Sequence, residues 1–275
     1  MAIQTGFARI TDDLTIRYQS TGSGDLTVLL VPGWTMTSDV FERQLAHFED
    51  ATHARLVAID PRSQGLSTHT SEGNYYEQHG RDLHAFIETL ELKHVVLGGW
   101  SNGGFDILAY VNQFGSARLK GLIMLDAAPA GIGSETDWVW FTPDDANGFR
   151  RFVTMGVLTG RQKFNMEFAQ WMAEAPTPDY LSWIERITSQ TGDGTAALLN
   201  ESSAYQNYAD DLKALEGKIP LLYFVREDWR SVVSAWARLH TPSATVAAVG
   251  KHIAFWERAD EFNAAVDRFL APIMR

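Results

Sequence analysis

The 275-residue chain contains no cysteine. Disulfides, thiolate nucleophiles and zinc–thiolate sites are thereby excluded together. Long hydrophobic runs are missing as well: the longest, around Val28 to Val31 and Leu122 to Leu125, fall far short of the roughly 20 residues that a bilayer-spanning helix needs. Positive charge is scarce, with 23 Lys and Arg against 34 Asp and Glu and a formal charge of −11. Nucleic acid and anionic membranes call for a basic stripe that displaces counterions, so neither is an expected partner. Met1 to Leu14 has neither a basic leader nor an apolar stretch, so no signal peptide is read there and the expected location is the cytoplasm.

What is present is a 45% hydrophobic chain, enough to bury a substantial core. Phe7 to Ile10 and Leu14 to Tyr18 alternate apolar and polar residues around Thr11-Asp12-Asp13, the pattern of an antiparallel hairpin at a sheet edge. A second turn is read at Thr21 to Gly24. Beyond it the apolar runs become continuous: Leu26 to Val31, Leu56 to Ile59, Val95 to Leu97, Leu122 to Leu125, Leu221 to Val225 and Ala244 to Ala248. Such runs suit strands covered on both faces of a parallel sheet. Between them Val40 to Phe48, Asp82 to Leu92, Phe105 to Phe114 and Glu261 to Leu270 have helical spacing. Strand and helix in alternation predict an α/β fold with a mostly parallel, doubly wound sheet.

The alternation stops between Gly131 and Lys218, where no convincing strand is found and Trp138, Trp140, Phe168 and Trp171 lie in helix-like stretches. The expected organisation is a core from 1–130 and 219–275 with a helical lid inserted at 131–218. Most of the insertion's aromatics are expected in its core and the remainder on a pocket.

The sharpest chemical signal is Gly99-Trp100-Ser101-Asn102-Gly103, between an expected strand and an expected helix. Gly-x-Ser-x-Gly in that context forms a nucleophile elbow, in which small flanking residues let the serine occupy a strained turn. Ser101 is the candidate nucleophile, and a serine hydroxyl needs a base. His252, after the last expected strand, is that candidate; the other seven histidines are read as surface groups. Two carboxylates can orient it. Asp228 follows the next-to-last strand and is slightly favoured; Asp126, ending the strand before, is its rival. Backbone N–H groups of Trp34, in Val31-Pro32-Gly33-Trp34-Thr35, and of Asn102 are the candidate oxyanion donors.

With these motifs the chain resembles the α/β-hydrolase fold superfamily over nearly its whole length. Asp60-Pro61-Arg62-Ser63-Gln64-Gly65-Leu66-Ser67 is similar to the D-x-R-G-x-G-x-S stretch of that superfamily, and Gly250-Lys251-His252 stands where its histidine does. The resemblance implies a serine hydrolase with a lid and without a metal or organic cofactor. Serine at the elbow argues against haloalkane dehalogenases and epoxide hydrolases of this fold, which carry Asp there. Trp34, Ser101, Asp126 and His252 also resemble the cofactor-independent 2,4-dioxygenases that open 3-hydroxy-4-oxoquinoline rings. In that branch the histidine, held by an acid on the strand after the elbow, deprotonates a substrate hydroxyl. That branch has a histidine two residues after the loop tryptophan and often another after the serine, where this chain has Met36 and Asn102.

The leading expectation is hydrolysis of a small or medium, apolar or aromatic carboxylic ester through an acyl-enzyme. Trp34, Met36, Trp100, Trp138, Trp140, Phe168 and Trp171 are its candidate pocket residues. Cofactor-free oxygenation and a non-catalytic small-molecule binder are the alternatives. A small-molecule substrate is the expected partner, and a homodimer is left open.

Overall fold

The computed structural model describes residues 1–134 and 136–274. Glu135, inside the expected insertion, and Arg275, at the end of the expected core, lie outside the described residues. The chain opens with β1 (Gln4–Arg9) and β2 (Thr15–Ser23), then β3 (Leu26–Val31), α1 (Glu42–Phe48), β4 (Ala54–Ile59), α2 (Tyr76–Thr89), β5 (His94–Trp100), α3 (Gly103–Phe114) and β6 (Leu119–Leu125). It continues through β7 (Ala130–Ile132), β8 (Val139–Phe141), α4 (Pro143–Met172), α5 (Pro178–Thr188), α6 (Asp193–Ser203) and α7 (Ala209–Lys213). It closes with β9 (Leu221–Val225), α8 (Arg230–His240), β10 (Thr245–Ala248), α9 (Ala254–Glu257) and α10 (Ala259–Leu270).

Eight strands form one sheet in the order β1-β2-β4-β3-β5-β6-β9-β10. β2 runs antiparallel to both β1 and β4; from β4 to β10 all pairings are parallel. The alternating and continuous apolar patterns thus correspond to an edge hairpin and a buried parallel sheet. β3 and β9 are buried along their whole length, because helices cover both faces. Leu29, Leu97 and Tyr223 face a core shared with Leu83, Phe105 and Val233, whereas Val28, Val96 and Phe224 face one shared with Phe41, Phe255 and Phe262. Neighbouring residues of one strand therefore enter different cores, as the two-residue period of the pleat requires.

Three local expectations change. β2 runs on to Ser23, through the expected turn, by pairing with β4 as far as Ser23–Ala54. α8 was not read from sequence, although Val233, Trp236 and Ala237 place its buried stripe. The stretch from residue 130 on contains two strands, β7 and β8, which pair in parallel; three residues are too few to display alternation. Helices α4 to α7 follow them. Gly160, at φ −167° and ψ 48°, interrupts α4 and divides it into two arms. No helix among the described residues is long and apolar enough to cross a membrane.

Candidate active site

Ser101 follows β5 at φ 54°, in the left-handed region that costs an ordinary residue about 1–2 kcal/mol. The strain is held by what surrounds it. Ser101 N–H donates to Leu125 O of β6 at 3.0 Å, and Gly104 N–H donates back to Ser101 O at 2.9 Å. A Cβ on Gly99 would lie 2.2 Å from Gly103 O, and one on Gly103 would lie 2.5 Å from Pro32 O. The elbow closes this tightly only because both positions lack a side chain.

The serine Oγ lies 3.0 Å from Nε2 of His252. The other ring nitrogen, Nδ1, meets Asp126 Oδ2 in a short hydrogen bond. Asp126 follows β6 as Ser101 follows β5, also in the left-handed region at φ 39°. Its carboxylate accepts the Arg226 backbone N–H at 2.7 Å and Arg226 Nη1 at 2.8 Å. Burial pushes the Asp126 carboxyl up, but the Arg226 guanidinium and the hydrogen bonds from His252 and Arg226 together hold it below the usual range. Burial also pushes the His252 imidazole down, more than Asp126 raises it. The pair is thus a carboxylate beside a neutral imidazole, the state in which a histidine can take a proton.

Asp228, the favoured acid, is not brought to the histidine. The chain after β9 folds into a 3-10 turn over Glu227–Trp229, and Asp228 points to solvent. What that loop delivers to the site is Arg226. Its neighbourhood to an acid is visible in sequence, but its pairing with Asp126, 100 positions away, is not.

A cavity of about 300 Å³ opens above Ser101 and His252. Of the candidate pocket residues, Trp34, Trp140, Phe168 and Trp171 line it, and so does Asn102. Phe141, Phe149, Phe152 and Phe164 line it too, their common signal being the aromatic density of the stretch from β8 through α4, and Arg226 joins them from the loop after β9. Three expected pocket residues lie elsewhere. Met36 is buried among the side chains near α1. Trp138 packs edge-on against Tyr223 and Trp236 in the opposite core. Trp100 alternates away from the cavity and donates from Nε1 to the carbonyl of His252 at 2.9 Å, so it secures the histidine loop from below.

Gly33 passes so close to the elbow that its Cβ would lie 2.8 Å from Cβ of Ser101. Among the described residues, no group accepts from the backbone N–H of Trp34 or Asn102. The Trp34 ring is fixed by its Nε1 donating to Ala196 O at 2.8 Å. Asp60, in the motif after β4, accepts from Ser38 N–H at 2.8 Å and Leu66 N–H at 3.0 Å, so that motif fixes the turn that starts at Ser38 and does not enter the cavity. His79, expected at the surface, is buried with Nδ1 2.9 Å from Asp106 where α2 packs on α3.

A doubly wound sheet with a serine elbow after its fifth strand, an acid after the next and a histidine after the last describes a class of enzymes. The chain belongs to the alpha/beta hydrolase fold family, whose model matches residues 27–259. It is 27% identical over 225 residues to a non-heme chloroperoxidase of Kitasatospora aureofaciens, covering 79% of this chain and 78% of that one. The structure of a bromoperoxidase from Bacillus anthracis superposes with a TM-score of 0.85 at 23% identity, covering 97% of this chain and 99% of the other. An esterase from Exiguobacterium antarcticum gives 0.83 at 18% identity, with 97% and 99% covered. At those identities the two structures establish the shared fold.

Proposed function

We propose that the protein is a serine hydrolase that cleaves a small or medium carboxylic ester with an apolar or aromatic group through an acyl-enzyme. The observation that carries this reading is the 3.0 Å approach of Ser101 Oγ to His252 Nε2 beneath an aromatic-walled cavity. His252 takes the serine proton as Oγ attacks the ester carbonyl, and Asp126 holds the ring in the tautomer that leaves Nε2 free to accept. The N–H groups of Trp34 and Asn102 receive the oxyanion, contributing about 3 kcal/mol each to its stabilisation. The imidazolium then protonates the leaving alcohol, and water repeats the sequence on the acyl-enzyme. The stretch 131–218, whose helices are α4 to α7, acts as a lid whose aromatic side chains exclude water from the ester.

A second reading has its own observation. His252 is held by the acid after β6, the arrangement of the cofactor-independent 2,4-dioxygenases. In that reaction His252 would deprotonate a heteroaromatic hydroxyl, and the resulting anion would react with dioxygen. One comparison separates the two: aryl ester turnover and oxygen uptake with a 3-hydroxy-4-quinolone, each measured for the wild type, Ser101→Ala and His252→Ala. Hydrolysis predicts ester turnover that both substitutions abolish and no oxygen uptake. Ester turnover that survives Ser101→Ala sinks the acyl-enzyme; oxygen uptake lost only with His252 moves the assignment to the second reading.

A further inference from the structure

The loop after β9 sets a cation into the cavity wall. Arg226 commits only part of its donor set to the protein: Nη1 and the backbone N–H hold Asp126, while Nε and Nη2 donate to no group among the described residues. Aromatic rings hold the guanidinium in place, with Cζ 3.5 Å from the ring centroid of Trp229 and 5.6 and 5.7 Å from those of Trp140 and Trp171. Its side chain is 13% exposed. Among the described residues lining the cavity it is the sole Lys or Arg, and the one carboxylate there, Glu167, is half exposed, 3.8 Å from Lys163.

Arg226 sets the charge balance beside the reacting groups. Serine, neutral imidazole and carboxylate alone would leave the site negative and would repel an anionic ligand. Here Arg226 cancels Asp126, so the base assembly is balanced before any ligand arrives. Unspent N–H donors on a guanidinium fixed at the edge of an apolar cavity gain most from a planar anionic acceptor, since a carboxylate matches the guanidinium fork. The rest of the wall offers rings, which suit the body of an aromatic ligand and not its charge.

We infer that Arg226 is a specificity residue, whose free guanidinium N–H groups receive a carboxylate carried by an aromatic ligand lying among Trp140, Phe168 and Trp171. The substrates that fit are aromatic esters bearing a second, unesterified carboxylate. The word substrate rests on the ester-hydrolase reading; the binding does not.

The test therefore begins without turnover. Binding of 1-naphthoate and of uncharged 1-naphthamide is followed by tryptophan fluorescence in the wild type, Arg226→Gln and Arg226→Lys, with circular dichroism reporting the fold. The wild type should favour the carboxylate by at least about tenfold, and Arg226→Gln should remove the preference. If Arg226→Gln does not fold, Arg226→Lys decides: its ammonium lacks the fork, so the preference should fall by about threefold or more. Equal affinity for the two ligands in the wild type overturns the inference, as does a preference undiminished in the folded variants. A second arm compares kcat/KM for 4-acetoxybenzoate and its methyl ester. Cleavage of neither compound sinks the hydrolase reading and leaves the binding result standing, whereas cleavage of both with a ratio unmoved by Arg226 substitution sinks the inference alone.

Discussion

Asp126 reaches Nδ1 of His252 from the end of β6, the strand hydrogen-bonded to the one that carries Ser101. The loop after β9 contributes the counter-ion of that acid in place of the acid itself. This division of labour makes the two acidic candidates separable by experiment. Asp126→Asn should lower kcat for an aryl ester by on the order of 10³–10⁴-fold, because the amide favours the wrong imidazole tautomer. Asp228→Asn, on an exposed residue, should leave kcat within about twofold. Steady-state kinetics of the two variants decide it, and a large loss in Asp228→Asn alone would refute the assignment.

The pH profile should carry the signature of a depressed histidine. Burial holds the His252 imidazole below its ordinary value of 6.5, with Arg226 adding to the depression and Asp126 opposing it. The base works only when neutral, so the acid limb of kcat/KM should fall below pH 6.5 and activity should be full at neutral pH. The same group ties stability to pH. Between the folded and unfolded values the unfolded chain binds more protons, so the stabilisation is complete above 6.5 and is lost as pH falls through the lower folded value. Denaturation midpoints at several pH values would show stability falling on acidification; an acid limb at or above 6.5 would contradict this account.

Gly33→Ala tests the oxyanion loop. The added Cβ would stand 2.8 Å from Cβ of Ser101 and 3.3 Å from the Trp100 ring, so the loop must retreat from the serine. Losing one well-placed donor should cost about 10²-fold in kcat, with KM affected less. An unaltered kcat would remove Trp34 N–H from the mechanism.

Two tryptophans that composition places together should behave oppositely. Trp171 lies with its ring centroid 5.1 Å from that of His252 and is half exposed. Trp171→Ala should raise KM for aryl esters several-fold while costing under about 1 kcal/mol of stability. Trp138 is buried against Tyr223 and Trp236, and its truncation should destabilise by about 3–5 kcal/mol while the folded fraction keeps its kcat and KM. Chemical denaturation together with kinetics on both variants checks the pair; a large KM effect from Trp138→Ala would place that residue at the cavity after all.

These contrasts mark where sequence reading works and where it stops. The sheet was legible because continuous apolar runs, an alternating hairpin and a Gly-x-Ser-x-Gly between strand and helix each follow from local periodicity. Ser101 and His252 were legible because their positions relative to the strands are fixed by topology, whereas the close approach of Gly33 to the Ser101 Cβ has no local signal. The choice of acid was not. Asp126 and Asp228 each follow a neighbouring parallel strand, and only the turn after each strand decides which carboxylate faces inward: φ 39° at Asp126, and a 3-10 turn that lifts Asp228 to the surface. The tryptophans were illegible for a related reason. Trp100 belongs to the strand's pleat and Trp138 precedes a three-residue strand, so which face each ring takes depends on tertiary packing that no local pattern records.

The register between β5 and β6 has a mechanical consequence. Trp100 pairs with Leu125, and the N–H of Ser101 is bonded to Leu125 O, so Ser101 and Asp126 are successive steps on adjoining rungs of one ladder. Their separation is set by the pitch of the sheet, about 4.8 Å between strands, and not by any flexible connection. Warming or mild denaturant that loosens the two arms of α4 about Gly160 should alter who enters the cavity well before it disturbs the alignment of the groups that react there. The α4 side of the cavity wall and the groups beneath it therefore belong to different parts of the fold: substitutions at Phe152, Phe164 or Phe168 reshape the wall without touching the β5–β6 ladder that spaces Ser101 and Asp126.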